Sequence, residues 1–331
     1  MKAYIKSISY ALPENIEENP LGRLSKKTGI YKRHIASKDE IASDLAVRAA
    51  EKLFKKVEKE KIDMLLYCTQ SPDYILPTTA CILQNRLGLS RHIGALDFNL
   101  GCSGYIYGLS LAKGLIESGQ AKNVLLITAE TYSKYINPKD NSVRPLFGDG
   151  ATATLITAVD TAHEGLTGFT LGTDGSGYSE LIVPAGGQAE PIGESSAEET
   201  SDDFGNMRSR LNLRMNGSKI SEFALEVVPA TLDKILAKTN LTRSNIGYFI
   251  FHQANKFMLD FLQQKCDLVG YPYWNDVKNY GNTVSSSIPI AIADMLRAAQ
   301  LKNPLVLAIG FGVGLSWGGC IINTSYMDKH E

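Results

Sequence analysis

The sequence has almost no excess charge of either sign: 34 basic against 35 acidic side chains in 331 residues, a formal net charge of −1. No run of Lys or Arg is long enough to follow a phosphate backbone, which argues against nucleic acid as a partner and leaves small acidic substrates open. Nor does any stretch approach the ~20 consecutive apolar residues that a membrane-spanning helix requires. The start, "MKAYIKSISYALPE", alternates apolar and polar residues like a strand and lacks the continuous apolar centre of a signal peptide, so a cytoplasmic location is expected. Cysteine is scarce as well. The five residues at 68, 81, 102, 266 and 320 form no C-x-x-C pair, so neither a disulfide framework nor a zinc site is expected, and no metal or other cofactor is implied.

The composition is that of a globular protein, 44% hydrophobic and 21% charged, with enough chain for one large or two medium domains. Short apolar runs, "IDMLLYCTQ", "HIGALDFNL", "NVLLITAE" and "ATATLITAV", have the look of buried strands. Between them "SDLAVRAAEKLFKKV" and "SGYIYGLSLAKGLIESG" carry apolar residues at helical intervals. This is an α/β pattern.

The second half of the chain repeats the first loosely. "IGYFIFHQAN" takes the place of "IDMLLYCTQS", "NYGNTVSSSIPIAIADMLRAAQ" that of "NLGCSGYIYGLSLAKGLIESGQ", and "PLVLAIGFG" that of "NVLLITAE". Similarity at so long a period suggests a duplicated domain with halves 1–165 and 166–331, meeting face to face with a site between matching corners. The Gly-, Ser- and acid-rich segment 184–214 has neither periodicity and reads as a surface excursion without assigned chemistry.

A lone cysteine is ordinarily a small buried hydrophobe, and Cys68, Cys81, Cys266 and Cys320 fit that description. Cys102 differs. Gly101 and Gly104 permit a sharp turn, and the residues that follow propagate a helix, so the thiol is expected at a helix N-terminus. Unpaired N–H groups there lower a thiol pKa toward neutrality and can hold an oxyanion, the two requirements of a nucleophile in acyl transfer.

Five histidines are available as partners. His330 sits in the tail, and His34, His92 and His163 lie among polar residues where solvent exposure is expected. His252 follows the apolar run "IGYFIF" and emerges at the C-terminal end of a strand, where α/β folds place their chemistry. The "YGNTVSSS" corner matches the Cys102 corner in the repeat and offers Asn282 as an uncharged donor. Equivalent strand ends of two facing halves would bring Cys102, His252 and Asn282 into one cavity. The glycines of "AIGFGVGLSWGG" have too little chain after them for a dinucleotide-binding unit; a tight turn there can instead bring a backbone N–H, that of Val313, against the substrate beside the amide of Cys102.

"GCSG", "HQAN", "YGNT" and "GFGVGLSWGG", in that order and with "TGIYKRHIA", "LPTTACILQNRLG" and "LFGDGATA" around them, resemble the thiolase-fold condensing enzymes, specifically β-ketoacyl-acyl-carrier-protein synthase III and its relatives. The resemblance covers nearly the whole chain. It implies an α/β, five-layered αβαβα sandwich built from two duplicated halves and assembled as a homodimer. Cys102 would be acylated by an acyl-CoA or acyl-carrier-protein donor and then attacked by the carbanion of decarboxylated malonyl carrier protein, with His252 and Asn282 stabilising the enolate. Two donors at a developing oxyanion are worth roughly 3 to 4 kcal/mol each in such sites. Leu76 stands where the family places a partner-subunit residue at the bottom of the acyl pocket.

The chain departs from the acetyl-CoA-using members in the groups that sandwich the adenine. Arg23 stands where a Trp is usual and Asn141 where an Arg is usual, with Arg144 close but offset, so a carrier-protein donor is as compatible as coenzyme A. Lys27, Lys32, Arg33, Arg144 and Lys256 are candidate contacts for a phosphopantetheine or carrier surface, against the alternative of a solvated basic face. Asp149 in "FGDG" reads as a turn residue bonded to its own backbone. Besides condensation in fatty-acid initiation or a specialised pathway, two functions stay open: transfer of the acyl group to an oxygen or nitrogen nucleophile, and a non-catalytic synthase subunit.

Overall fold

The computed structural model describes residues 1–298 and 301–328; His330 lies outside them. Two mixed sheets organise the chain. The first contains β1 (Lys2–Ala11), β2 (Met64–Cys68), β3 (Gly94–Phe98), β4 (Asn123–Glu130) and β5 (Gly150–Val159), in the spatial order β1-β5-β4-β2-β3. The second contains β6 (Leu166–Thr173), β7 (Tyr248–Phe251), β8 (Leu305–Gly312) and β9 (Ser316–Asn323), in the order β6-β9-β8-β7. The pairing senses match: β4 runs parallel to β2 and antiparallel to β5, as β8 runs parallel to β7 and antiparallel to β9. Where the first sheet has its edge strand β3, the second has a single parallel bridge, Phe249 to Tyr273.

The central strands are apolar on both faces because helices cover both. On β4, Val124 and Leu126 point to one core while Leu125, Ile127 and Ala129 point to another. The outer core is closed by α1 (Ala42–Phe54) and α2 (Thr79–Arg86) through Leu45, Ala49, Ala80 and Leu83. Between the sheets lie α3 (Gly104–Glu117) and α6 (Ser287–Ala298), whose Ile106, Leu109, Ile288 and Ile292 share a core with Val306 and Ala308 of β8. On the far face, α4 (Gly217–Thr239) and α5 (Lys256–Lys265) pack Leu232, Ile235 and Leu259 against Leu307 and Ile309. Helix, sheet, paired helices, sheet and helix make five layers. Among the described residues no helix is long and apolar enough to cross a membrane.

Segment 184–214 is an excursion that carries its own structure. Thr200–Ser201 pairs with Met207–Arg208, and Arg214–Met215 pairs with Leu181–Ile182. Arg208 is ion-paired with the buried Asp140, which fastens the excursion onto the loop that follows β4.

Candidate active site

Cys102 lies in the turn between β3 and α3, one residue ahead of the N-cap Ser103, and is 4% exposed. The glycines beside it serve close approach, since neither is at positive φ. A Cβ at Gly104 would fall 2.3 Å from Cys68 Sγ, and one at Gly101 would fall 2.6 Å from both Gln70 Oε1 and Val313 Cγ1. The other half supplies the floor: a Cβ at Gly312 would stand 3.0 Å from Cys102 Cβ and 3.1 Å from its Sγ. Ser316 Oγ donates to Val313 O at 3.0 Å and lies 2.6 Å from Ser103 Oγ, so one hydrogen-bonded chain fastens the 313–315 turn to the nucleophile turn. Val313 is not at positive φ, and among the described residues neither its amide nor that of Cys102 donates to another backbone carbonyl. Two such amides beside a thiol can hold an oxyanion.

His252 follows β7 and is fixed by its backbone N–H, which donates to Ile309 O at 2.8 Å. The ring is buried, meets Phe311 edge-on at 5.5 Å between centroids, and places Nδ1 2.7 Å from Ser287 Oγ at the start of α6. Ser287 Oγ also accepts the Gln253 N–H at 3.4 Å. Nδ1 is thus engaged by Ser287, and Nε2 is the ring nitrogen left for a substrate. Burial lowers the imidazole pKa to about 3, so the ring is neutral at physiological pH.

Asn282 is held by its backbone, donating to Leu146 O at 2.8 Å and accepting from Gly148 N at 2.9 Å. Its Oδ1 accepts the Val284 N–H at 2.9 Å, in a turn where Gly281 has φ +66° and Val284 φ +53°. With the oxygen engaged, Nδ2 is the end left to donate. Val284 packs in the same apolar cluster as Cys102, and Phe311, against the His252 ring, precedes the Gly312 that touches Sγ. Contacts through Val284, Phe311 and Gly312 thus connect the three residues, which come from three separate elements.

The expected acidic thiol is not what the chamber provides. Burial, followed by the charge of Glu130, pushes the Cys102 thiol well above its ordinary value, and its own backbone amide offsets only part of this. The reason is placement: α3 starts two residues beyond Cys102, while the thiol itself sits among Tyr132, Val143, Phe147 and Leu213. Those apolar neighbours, with Ile136 and Leu181, share one buried cluster with Cys102, and nothing in the sequence pattern singles them out. Leu213 comes from the end of the excursion, where its N–H donates to Tyr135 O at 2.8 Å, so a segment without sequence periodicity closes part of the chamber.

The outlying candidates divide. Arg33 is buried, spends its donors on Glu17 at 2.9 Å, Phe147 O at 3.2 Å and Asn19 Oδ1 at 3.3 Å, and lines the same cavity as Arg144. Arg144 is more exposed, pairs with the same Glu17 at 3.2 Å, and borders a cavity of about 570 Å³ together with Lys38, Lys134 and Phe147. Lys32 is exposed and pairs with Glu18 at 3.3 Å. Lys27 stands 4.7 Å from the ring centroid of Phe257, next to Lys256, which pairs with Asp260 and lays its stem against Gly29. Leu76 is 84% exposed, beside the equally bare Tyr74 and Ile75. Asp149 is not bonded to its own turn; it is fully buried and accepts from Ala36 N at 2.8 Å and Ser133 N at 3.0 Å. Cys81 is exposed on α2, where a buried thiol was expected, while Cys68, Cys266 and Cys320 are buried. His34 is half-buried, Nδ1 2.6 Å from Pro13 O. Glu130, at the end of β4, is a fully buried carboxyl that sequence patterning gave no reason to single out.

Comparison with known proteins places this geometry. Residues 96–175 match the family model described as 3-oxoacyl-[acyl-carrier-protein (ACP)] synthase III, and residues 236–324 match the model of its C-terminal part. The chain is 37% identical to the beta-ketoacyl-[acyl-carrier-protein] synthase III of a Sulfurovum species, over 97% of this chain and 93% of that one. It is 35% identical to the protein of the same name from Caldanaerobacter subterraneus subsp. tengcongensis, over 91% and 89%. A crystal structure titled as a 3-oxoacyl-(acyl-carrier-protein) synthase III superposes with a TM-score of 0.95 at 47% identity, covering 98% of this chain and all of the other.

Proposed function

The chain belongs to the 3-oxoacyl-[acyl-carrier-protein] synthase III family of thiolase-fold enzymes, and from that premise we propose that it joins an acyl thioester to malonyl-acyl carrier protein, with Cys102, His252 and Asn282 as the reacting groups. The observation that carries this is a buried thiol linked through Gly312 and Phe311 to a neutral imidazole, and through Val284 to a carboxamide whose Nδ2 is left to donate.

In the first step Sγ gives up its proton and attacks the donor carbonyl, the C–S bond to coenzyme A or carrier breaks, and the departing thiolate takes up that proton. The Cys102 and Val313 amides stabilise the tetrahedral oxyanion. In the second step malonyl-acyl carrier protein loses CO₂, and its electron pair is held as an enolate by Nε2–H of His252 and Nδ2–H of Asn282. That carbanion attacks the acyl-Cys102 carbonyl, releases β-ketoacyl carrier protein, and leaves a thiolate that regains its proton from solvent. Uncharged donors suit the intermediate because neither must be deprotonated or neutralised when the negative charge disappears.

A homodimer belongs to the same proposal. Edge strand β3 has unpaired backbone on one side, and Tyr74, Ile75 and Leu76 are bare apolar groups, as expected if Leu76 reaches a partner's acyl pocket. The division into halves 1–165 and 166–331 follows the two sheets, with Lys27, Lys32, Arg144 and Lys256 as the remaining carrier or pantetheine contacts. Exposure of the protein to acyl-CoA and acyl-carrier-protein panels, followed by intact mass and released CO₂, tests the assignment. An acyl mass on Cys102 that is lost in Cys102→Ala, with CO₂ formed from malonyl carrier protein, is expected. An acyl mass without CO₂ across the panel indicates transfer to another nucleophile instead, and absence of both excludes a condensing role.

A further inference from the structure

The first half ends its central strand in an acid that the chemistry above leaves idle. Glu130 has no exposed surface and, among the described residues, no cation in contact with it. Three neutral groups meet its carboxyl: Gln70 N–H at 3.2 and 3.1 Å to the two oxygens, Ser71 Oγ at 2.9 Å, and Ser285 Oγ at 3.0 Å. Burying a carboxyl on neutral partners alone is costly for its ionised form. Two of those partners lead into the chamber. Gln70 packs its Oε1 on Gly101, the residue before the nucleophile, and accepts from the Tyr132 hydroxyl. Ser285 follows Val284, whose amide orients the Asn282 carboxamide. Glu130 is thus the hydrogen-bonded tie between the Cys102 turn of one half and the Asn282 corner of the other.

Resting on the condensing role just proposed, we infer that Glu130 is a positioning residue of this enzyme, which holds the Asn282 corner in register with the Cys102 turn and, when charged, keeps the unacylated thiol protonated. The titratable groups that face it from the surrounding elements are Tyr67 and Cys68 of β2, Cys102, Tyr132, Tyr135 and Asp149. Of these only Asp149 is ordinarily an anion, and it adds to the burial that raises Glu130 to about 8. Glu130 therefore gains its charge within an accessible pH range, and the Cys102 thiol that faces it registers that event.

The test is alkylation of each cysteine by iodoacetamide, read by peptide mass spectrometry from about pH 6.5 to about pH 10, on the full chain as wild type, Glu130→Gln and Ser285→Ala, with melting temperatures alongside. Removing the charge is expected to speed Cys102 alkylation about threefold at the upper end of the range, because the thiolate fraction rises when a neighbouring negative charge is taken away. Cys266 and Cys320, which do not face Glu130, keep their wild-type rates. CO₂ release from malonyl carrier protein falls about tenfold in kcat at unchanged KM, as misplacement of one donor predicts. Ser285→Ala removes the tie and leaves the carboxyl in place, so at the upper end of the range Cys102 keeps the wild-type alkylation rate while kcat is lost. An alkylation profile of Glu130→Gln that superposes on wild type, a parallel rise at all three thiols, or an unchanged kcat in Ser285→Ala overturns the inference. Should Glu130→Gln fail to fold, the Ser285→Ala arm decides alone. Alkylation needs no condensation, so a wild type that releases no CO₂ counts against the function proposed above while the thiol measurement still decides the role of Glu130.

Discussion

The two corners that face each other across the chamber come from the same position in the repeat, and they have diverged in opposite electrostatic directions. In the first half Thr128 stands beside Cys68 across the parallel pair, as Ile309 stands beside Phe251 in the second. Two residues further on, the first strand presents the carboxyl of Glu130 and the second presents the ring of Phe311, which packs on His252. The nucleophile therefore rests next to a group that favours protonation, and the imidazole next to hydrocarbon that keeps it neutral. Duplication supplies two strand ends at one place, and the residues at those ends separate the attacking group from the donors.

The largest effect expected from disturbing that separation is at Asn282. Asn282→Asp places a second carboxylate where the enolate forms and removes a donor, and decarboxylation should fall by about 10²- to 10³-fold. Acylation of Cys102, followed by mass, should suffer much less; equal loss in both steps would erase the distinction between the corners.

A second effect concerns the neutral imidazole. Its folded-state pKa of about 3 lies below the ordinary imidazole value of 6.5, so the unfolded chain binds the proton more readily. Stability from this group is present above about pH 6.5 and is lost as the pH falls toward about 3. His252→Gln should flatten that part of the acid-unfolding curve, measured by denaturant midpoints between about pH 6.5 and about pH 4 against wild type. The wild-type condensation rate should also show no imidazole inflection between about pH 5 and about pH 8. An inflection there that vanishes in the variant would contradict a ring that stays neutral.

The smallest effect is steric. Gly312→Ala brings a methyl to 3.1 Å from Sγ, closer than ordinary contact, and should slow acylation about tenfold with little change in melting temperature. The corresponding substitution at the open Gly217, where nothing lies within 4 Å, should leave acylation at the wild-type rate.

Much of this architecture is written in local patterns. Strands covered on both faces show as unbroken apolar runs such as "NVLLITAE", helices as their intervals, and the repeat as two such series in one order. Cys102, His252 and Asn282 stand out because each follows a strand or turn signal at matching places. Other features depend on distance through space. Whether Arg33 faces a carrier or Phe147 O, whether segment 184–214 is idle or supplies Leu213 to the chamber, and which atoms meet Glu130 depend on residues remote in the chain.

Local patterning along the chain suffices for the layers, the repeat and three candidate reacting groups, because periodicity and turn chemistry act over a few neighbouring residues. The protonation of the thiol and imidazole and the apolar cluster around Cys102 come from packing between distant segments. Those properties come from desolvation and Coulomb interaction, which depend on what folding brings near, whatever its separation along the chain.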